Sequence, residues 1–282
     1  MSAATNTIDW KSTQESSLKA LTKDATDAVA WSNLGASLDD PDKVVCVGED
    51  KYTKRECFIK AVTFKPEFAD AWVNLGSSLA PGEEITIGDA GKLTAKGCYI
   101  KALEINGTVA QGWCRLAMTM DQVGIVTISD VKFTKKECLI NAVQMDPKYY
   151  VAWFKLGNTL NPDGETVNVG AEKLTAKQCY IKALELIETV SNIWYNLAAS
   201  MSQGEELTIR GSKYQQHHCL VKVQSLEMDV KDAEAWVTMG SMLVMKDQVT
   251  TIGGDTFTQK QCYEMALKID PKNAAALSFV KK

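Results

Sequence analysis

The chain has 282 residues, 45% hydrophobic and 23% charged, which are ordinary globular values and exclude wholesale disorder. Lys and Arg number 31 against 35 Asp and Glu, and this net charge of −4 excludes a dedicated nucleic-acid binder, which carries a basic surplus. No apolar run approaches the roughly 18 residues of a membrane span, and the opening MSAATNTIDWKST lacks the basic-then-apolar plan of a secretory signal, so a cytoplasmic protein without membrane contact is expected.

Residues 8–26 read as one helix standing by itself, with Ala20 placed 11 residues before Trp31, as Ala61 is before Trp72. From there a single pattern recurs. Trp31, Trp72, Trp113, Trp153, Trp194 and Trp236 follow one another at steps of 41, 41, 40, 41 and 42 residues. These steps mark units at 27–68, 69–109, 110–149, 150–190, 191–232 and 233–272. Residues 273–282 form a last half-unit in which Leu277 takes the Trp place. Repetition on this scale predicts one domain over 1–282, built by copying a supersecondary unit.

Each unit opens on a helix. Trp31, Leu34, Gly35 and Leu38 stand at i, i+3, i+4 and i+7, one face of a 3.6-residue period. A short alternating segment follows, such as VVCVGEDKYT or ITIGDAGKLT, which reads as a miniature β-hairpin around a central turn. An isolated two-stranded hairpin is marginal in water, so each is expected to lean on its own helices or on a neighbouring hairpin, giving a row along one rim. A second helix closes the unit, with Cys57, Phe58, Ala61 and Val62 as its apolar stripe. Thr53 with Glu56 is a capping-box signature at its start, repeated by Thr134 with Glu137, Thr175 with Gln178 and Thr258 with Gln261, while Thr94 is followed by Gly97.

Trp31, Leu34 and Gly35, then Phe58, Ala61 and Pro66, resemble the tetratricopeptide repeat (TPR) pattern W-x2-L-G followed by A-x3-F, Ala and Pro. Trp72, Leu75, Gly76, Tyr99 and Ala102 repeat it, as do Trp153, Leu156, Gly157, Tyr180 and Ala183. The resemblance covers nearly the whole chain and departs in two ways. Lys54, Lys135, Gln216 and Gln259 stand where the pattern has the first Ala of the second helix. The unit is also about seven residues longer than the usual 34, and the surplus is the hairpin segment. The resemblance implies an all-α, TPR-like α-α superhelix, a right-handed solenoid with a short β-hairpin insertion in each repeat.

Little in the sequence points to chemistry. Cys57, Cys98, Cys138, Cys179, Cys219 and Cys262 recur with the repeat and form no C-x-x-C, so they read as small buried hydrophobes rather than metal ligands. His217 and His218 precede Cys219, but adjacent side chains on a helix diverge by about 100°, and a solvent-facing pair is expected. No phosphate loop, catalytic triad or paired-carboxylate arrangement recurs, and no enzyme activity, metal or cofactor is expected. The Trp row is expected in the core.

The residue two after each Trp is more informative. In TPR proteins this position of the first helix faces a concave groove, and the resemblance implies the same for Asn33, Asn74, Arg115, Lys155 and Asn196. Ser77 and Asn158 lie one turn on, with Phe154 and Tyr195 beside them as apolar contacts. Asn offers both donor and acceptor to the backbone of an extended peptide, while Arg115 and Lys155 suit an acidic side chain or a C-terminal carboxylate. The function expected is that of a non-catalytic scaffold, binding a peptide or helix of a partner protein in the groove. The alternatives are a structural protein self-assembling into a homo-oligomer through the hairpin rim, or an accessory subunit of a larger complex.

Overall fold

The computed structural model describes residues 9–161, 164–243, 249–252 and 255–280. Both ends of the chain and the Gly253-Gly254 turn of the last hairpin segment lie outside the described residues. Contacts divide the chain into two compact units, Met1–Pro147 and Lys148–Lys282. The first opens on α1 (Trp10–Lys23) and holds three helix pairs: α2 (Ala28–Ala36) with α3 (Lys54–Phe64), α4 (Ala69–Ser77) with α5 (Ala95–Ile105), and α6 (Ala110–Met118) with α7 (Lys135–Met145). The second holds α8 (Tyr150–Gly157) with α9 (Ala176–Leu186), α10 (Ser191–Ser200) with α11 (Gln216–Glu227), and α12 (Ala233–Met242) with α13 (Gln259–Ile269), and closes on α14 (Ala274–Val280). We call the two members of a pair helix A and helix B.

A hairpin joins every pair: β1–β2 (Val44–Val47, Asp50–Thr53), β3–β4 (Ile85–Ile87, Gly91–Leu93), β5–β6 (Ile125–Ile128, Val131–Thr134), β7–β8 (Thr166–Val169, Glu172–Thr175), β9–β10 (Glu206–Ile209, Ser212–Gln215) and β11–β12 (Val249–Ile252, Asp255–Thr258). All are antiparallel, and among the described residues no hairpin is hydrogen-bonded to another. The turns follow strand twist. Gly48 and Gly170 take φ of 64° and 59° at the first turn position, whereas Ser129-Asp130 and Arg210-Gly211 are left-handed at both.

What each hairpin leans on differs from a hairpin row. The second strand lays Tyr52, Phe133, Tyr214 or Phe257 on the indole of its own pair, with ring centroids 4.7–4.9 Å from Trp31, Trp113, Trp194 and Trp236. First strands touch the preceding helix B, as β1 does α1, β5 does α5 and β9 does α9. At the β9–β10 turn Arg210 donates through Nε and Nη2 to the Glu185 carbonyl at 2.8 and 2.6 Å, capping the end of α9.

The six indoles of the repeat are the core, none more than 6% exposed, whereas Trp10 on α1 is 47% exposed. Each of five donates its N–H to the carbonyl six residues back, in the turn entering helix A: Trp31 to Ala25, Trp72 to Pro66, Trp113 to Gly107, Trp194 to Glu188 and Trp236 to Val230, at 2.7–2.9 Å. Indole therefore fills the seam and also satisfies a turn that a Leu would leave unpaired.

Helices A and B meet at a small residue. A Cβ added to Gly35, Gly76, Gly157 or Gly240 would lie 2.7, 2.8, 2.5 or 3.1 Å from the ring of Phe58, Tyr99, Tyr180 or Tyr263. In the other two pairs Ala117 and Ala198 take the glycine place, and Leu139 and Leu220 take the ring place.

The departures from the TPR pattern also find their cause. Lys54 Nζ and Lys135 Nζ reach back to the Leu38 and Met120 carbonyls at 2.9 and 3.0 Å. Gln216 and Gln259 do the same to Ala198 and Gly240 at 3.0 and 2.9 Å. Helix B thus caps the carboxyl end of helix A, which an Ala cannot do. The expected boxes at α3, α7, α9 and α13 are present. At α11 the place of Glu or Gln is taken by His218, whose Nδ1 accepts from the Gln215 backbone N–H at 3.0 Å. His217 and His218 are accordingly half-buried with rings 3.8 Å apart, not a solvent-facing pair. Among the described residues no helix is long and apolar enough to cross a membrane.

Candidate functional site

Helix A buries two sides and leaves a third open. On α2, Ser32 and Leu34 are buried while Asn33 between them is exposed; on α6, Cys114 and Leu116 are fully buried while Arg115 is exposed. The open side of the first compact unit therefore carries Asn33, Asn74 and Arg115 on α2, α4 and α6. Asn74 is half-buried and ties its helix to the preceding helix A, donating Nδ2 to Ser32 Oγ at 3.3 Å. Ser77, at the end of α4, donates to the Val73 carbonyl at 2.9 Å and lies 3.3 Å from the Tyr99 hydroxyl. Arg115 makes no hydrogen bond or ion pair among the described residues, so its five donors face solvent.

In the second compact unit the open side carries Lys155 on α8 and Asn196 on α10. Lys155 is half-buried with Nζ 5.4 Å over the Phe154 ring, and that ring in turn leans on Tyr180 at 6.2 Å. Asn158 ends α8, and its Oδ1 accepts from the Tyr180 hydroxyl at 3.0 Å and from Asn196 Nδ2 at 2.9 Å. A cavity of about 360 Å³ opens there, lined by Asn158, Leu160, Ala176, Tyr180, Asn196, Ala199 and Ser200. Phe154 and Tyr195 stand outside this lining, Tyr195 with 56% of its surface exposed. The structure thus brings Asn158 and Asn196 together and sets Tyr195 apart.

Sequence reasoning missed the tyrosines. Tyr99 and Tyr180 stand out only as matches to the repeat pattern, and their rings are buried. Their hydroxyls nevertheless reach Ser77 and Asn158 on the open side of helix A. The signal was a polar tip at a place that Phe58 and Leu139 fill equally well.

Elsewhere the chemistry is quiet. Burial pushes the thiols of Cys57, Cys138, Cys179 and Cys219 up to about 12 and those of Cys98 and Cys262 to about 11. Among the described residues no three His, Cys, Asp or Glu side chains are grouped to hold a metal.

No protein-family model matches this chain, and no curated protein sequence does. Among solved structures it is similar to a chain of the APC/C hetero-tetramer Cut9–Hcn1, with a TM-score of 0.52, 15% identity and 97% of this chain covered. It spans about half of that chain's length, 46%. It also aligns with YrrB, a TPR protein with an unusual peptide-binding site, over 81% of this chain and all of that one, at 17% identity; the TM-score of 0.41 is too low to support a fold assignment. Helix pairs, Trp–Gly seams and the first of these likenesses together give the chain a TPR-like fold.

Proposed function

We propose that the chain is a protein–protein interaction scaffold without chemistry of its own, whose helix A faces receive a peptide or helix of a partner protein. Within each compact unit the pairs would coil as a right-handed solenoid, with the row of helix A residues in its hollow. The observation that carries the reading is the unspent hydrogen-bonding capacity on that row. Asn33 and Arg115 stand exposed between fully or nearly fully buried neighbours, so packing does not account for them. Arg115 and Lys155 would add charge-assisted contacts to an acidic side chain or a C-terminal carboxylate. Repeated weak contacts in register would then supply the affinity. Replacing both cations, Arg115→Glu with Lys155→Glu, should leave far-UV helicity intact and lower recovery of the captured partner on the order of tenfold, the effect of about 1.4 kcal/mol. Undiminished capture by the double variant would sink the groove.

Self-assembly through the hairpin rim is the second reading, favoured by the two-stranded sheets with unpaired edges. It is opposed by the exposed Lys51, Lys92, Lys132, Lys173 and Lys213, one on the outer face of each of five hairpins, where charge discourages edge pairing.

A further inference from the structure

Successive pairs are tied together where helix B of one meets the hairpin root of the next. Arg55, second in α3, donates to the Glu83 carboxylate and to the Ser78 carbonyl. Lys177, second in α9, meets both oxygens of Glu205 at 2.6 Å. Each carboxylate also accepts the backbone N–H three residues before it, from Ala80 and from Ser202, at 2.9 and 2.8 Å. The Ala80 N–H and then Arg55 hold Glu83 below the usual glutamate range, and Lys177 and then the Ser202 N–H do the same for Glu205. The arrangement is a cradle for one carboxylate.

Between the second and third pairs the cradle is built but the glutamate is absent. Lys96 stands second in α5, half-buried like Arg55 and Lys177, and α5 touches β5. The root of the third hairpin closes as its counterparts do. The Gly124 N–H donates to the Asp121 carbonyl at 3.1 Å, as Glu83 does to Ala80 and Glu205 to Ser202. Gly124 therefore holds the glutamate place without a carboxylate. Among the described residues Lys96 makes no hydrogen bond or ion pair, and the Asp121 N–H has no acceptor. The carboxylate of Asp121 is exposed and pairs with neither donor. The same root is apolar where its counterparts are not. Val123, 92% exposed, takes the place of Gly82 and Gly204, and Ile125, 59% exposed, that of Glu84 and Glu206. An unspent cation and amide beside two wet aliphatic side chains complement an acid that has an apolar neighbour.

We propose that this notch docks a partner protein through a glutamate side chain, the residue that fills both counterpart cradles, next to an apolar residue. The carboxylate bridges Lys96 and the Asp121 N–H, and the apolar residue covers Val123 and Ile125. Docking completes between two chains the tie that the other junctions make within one. The notch belongs to helix B and a hairpin, outside the helix A row, and does not rest on the groove reading. The test is NMR titration of the full chain with the capped tripeptide leucine–glutamate–leucine and its glutamine counterpart, read at the Asp121 amide. A saturable downfield shift is expected with the glutamate peptide, and affinity at least tenfold lower for the glutamine peptide and in Lys96→Met. Gly124→Glu should fill the notch from within, abolish the shift, and raise the urea midpoint more in the parent chain than in Lys96→Met. No saturable shift, equal affinity for the glutamine peptide, or a Gly124→Glu midpoint indifferent to Lys96 overturns the notch. Arg115→Glu with Lys155→Glu alters none of the donors involved, so the notch and the groove fail separately.

Discussion

At Gly76 the side chain is missing for want of room, not for backbone freedom. Alanine is favoured over glycine by about 1 kcal/mol in a helix interior, so a glycine there must answer to its neighbour. The neighbour is Tyr99, whose Cε1 lies 2.8 Å from where a Cβ would be. Gly76→Ala should therefore destabilise the chain by about 1–3 kcal/mol through overpacking, despite its better propensity. Combined with Tyr99→Leu, the pairing that Ala117 and Leu139 already use, the loss should be smaller than the sum of the two single losses. Urea midpoints of the four proteins give the coupling directly, and strict additivity would refute a steric match. The same residue-level logic explains why the indole recurs: its N–H closes the turn before it, which no other large apolar side chain does.

At the scale of elements, caps set the response to acid. The backbone N–H groups of Thr53 and Thr134 hold the carboxyls of Glu56 and Glu137 below the usual glutamate range, because both carboxylates accept those bonds at 2.7 Å. The unfolded chain then binds more protons than the folded one between the two values. This share of stability is complete above the ordinary glutamate range and is lost as pH falls through the lowered folded values. Burial lowers His218, which adds a loss of the same sign as pH falls below the usual histidine range. Gln178 and Gln261 make the same reciprocal bond without titrating. Glu56→Gln with Glu137→Gln should thus flatten the fall of the urea midpoint between about pH 7 and about pH 3.5, and an unchanged slope would refute the assignment. These boxes, like the Trp period and the strands around Gly48, were legible because they join residues close in sequence. Longer reaches were not. Lys54 meets the Leu38 carbonyl, and Arg210 the Glu185 carbonyl, only after a hairpin has folded the chain back. The role of Tyr180 was not legible because a buried ring and a hydroxyl that reaches Asn158 belong to the same side chain.

Across the molecule, six buried thiols sample each helix B in turn. Of the eight cysteines Cys46 alone is exposed, and Cys114 is as buried as the recurring six. Alkylation of the native protein should modify one thiol rapidly and the remaining seven only as local opening exposes them; in denaturant all eight should react. Two or more fast thiols in the native chain would contradict the packing. Because every pair has its own reporter, labelling rates resolved by residue would show which pairs open first. The match of glycine to ring and alanine to leucine bears, finally, on how such an array can be inherited. Tandem copies exchange segments by crossover, and a crossover within a hairpin would splice one pair's helix A to another's helix B. Joining the alanine helix that ends before Thr119 to the tyrosine helix that begins at Ala176 forces a methyl into a ring, and the reverse chimaera leaves a hole. Exchanges at the turns between pairs keep both partners of the match together, so this lineage can be shuffled only in whole pairs.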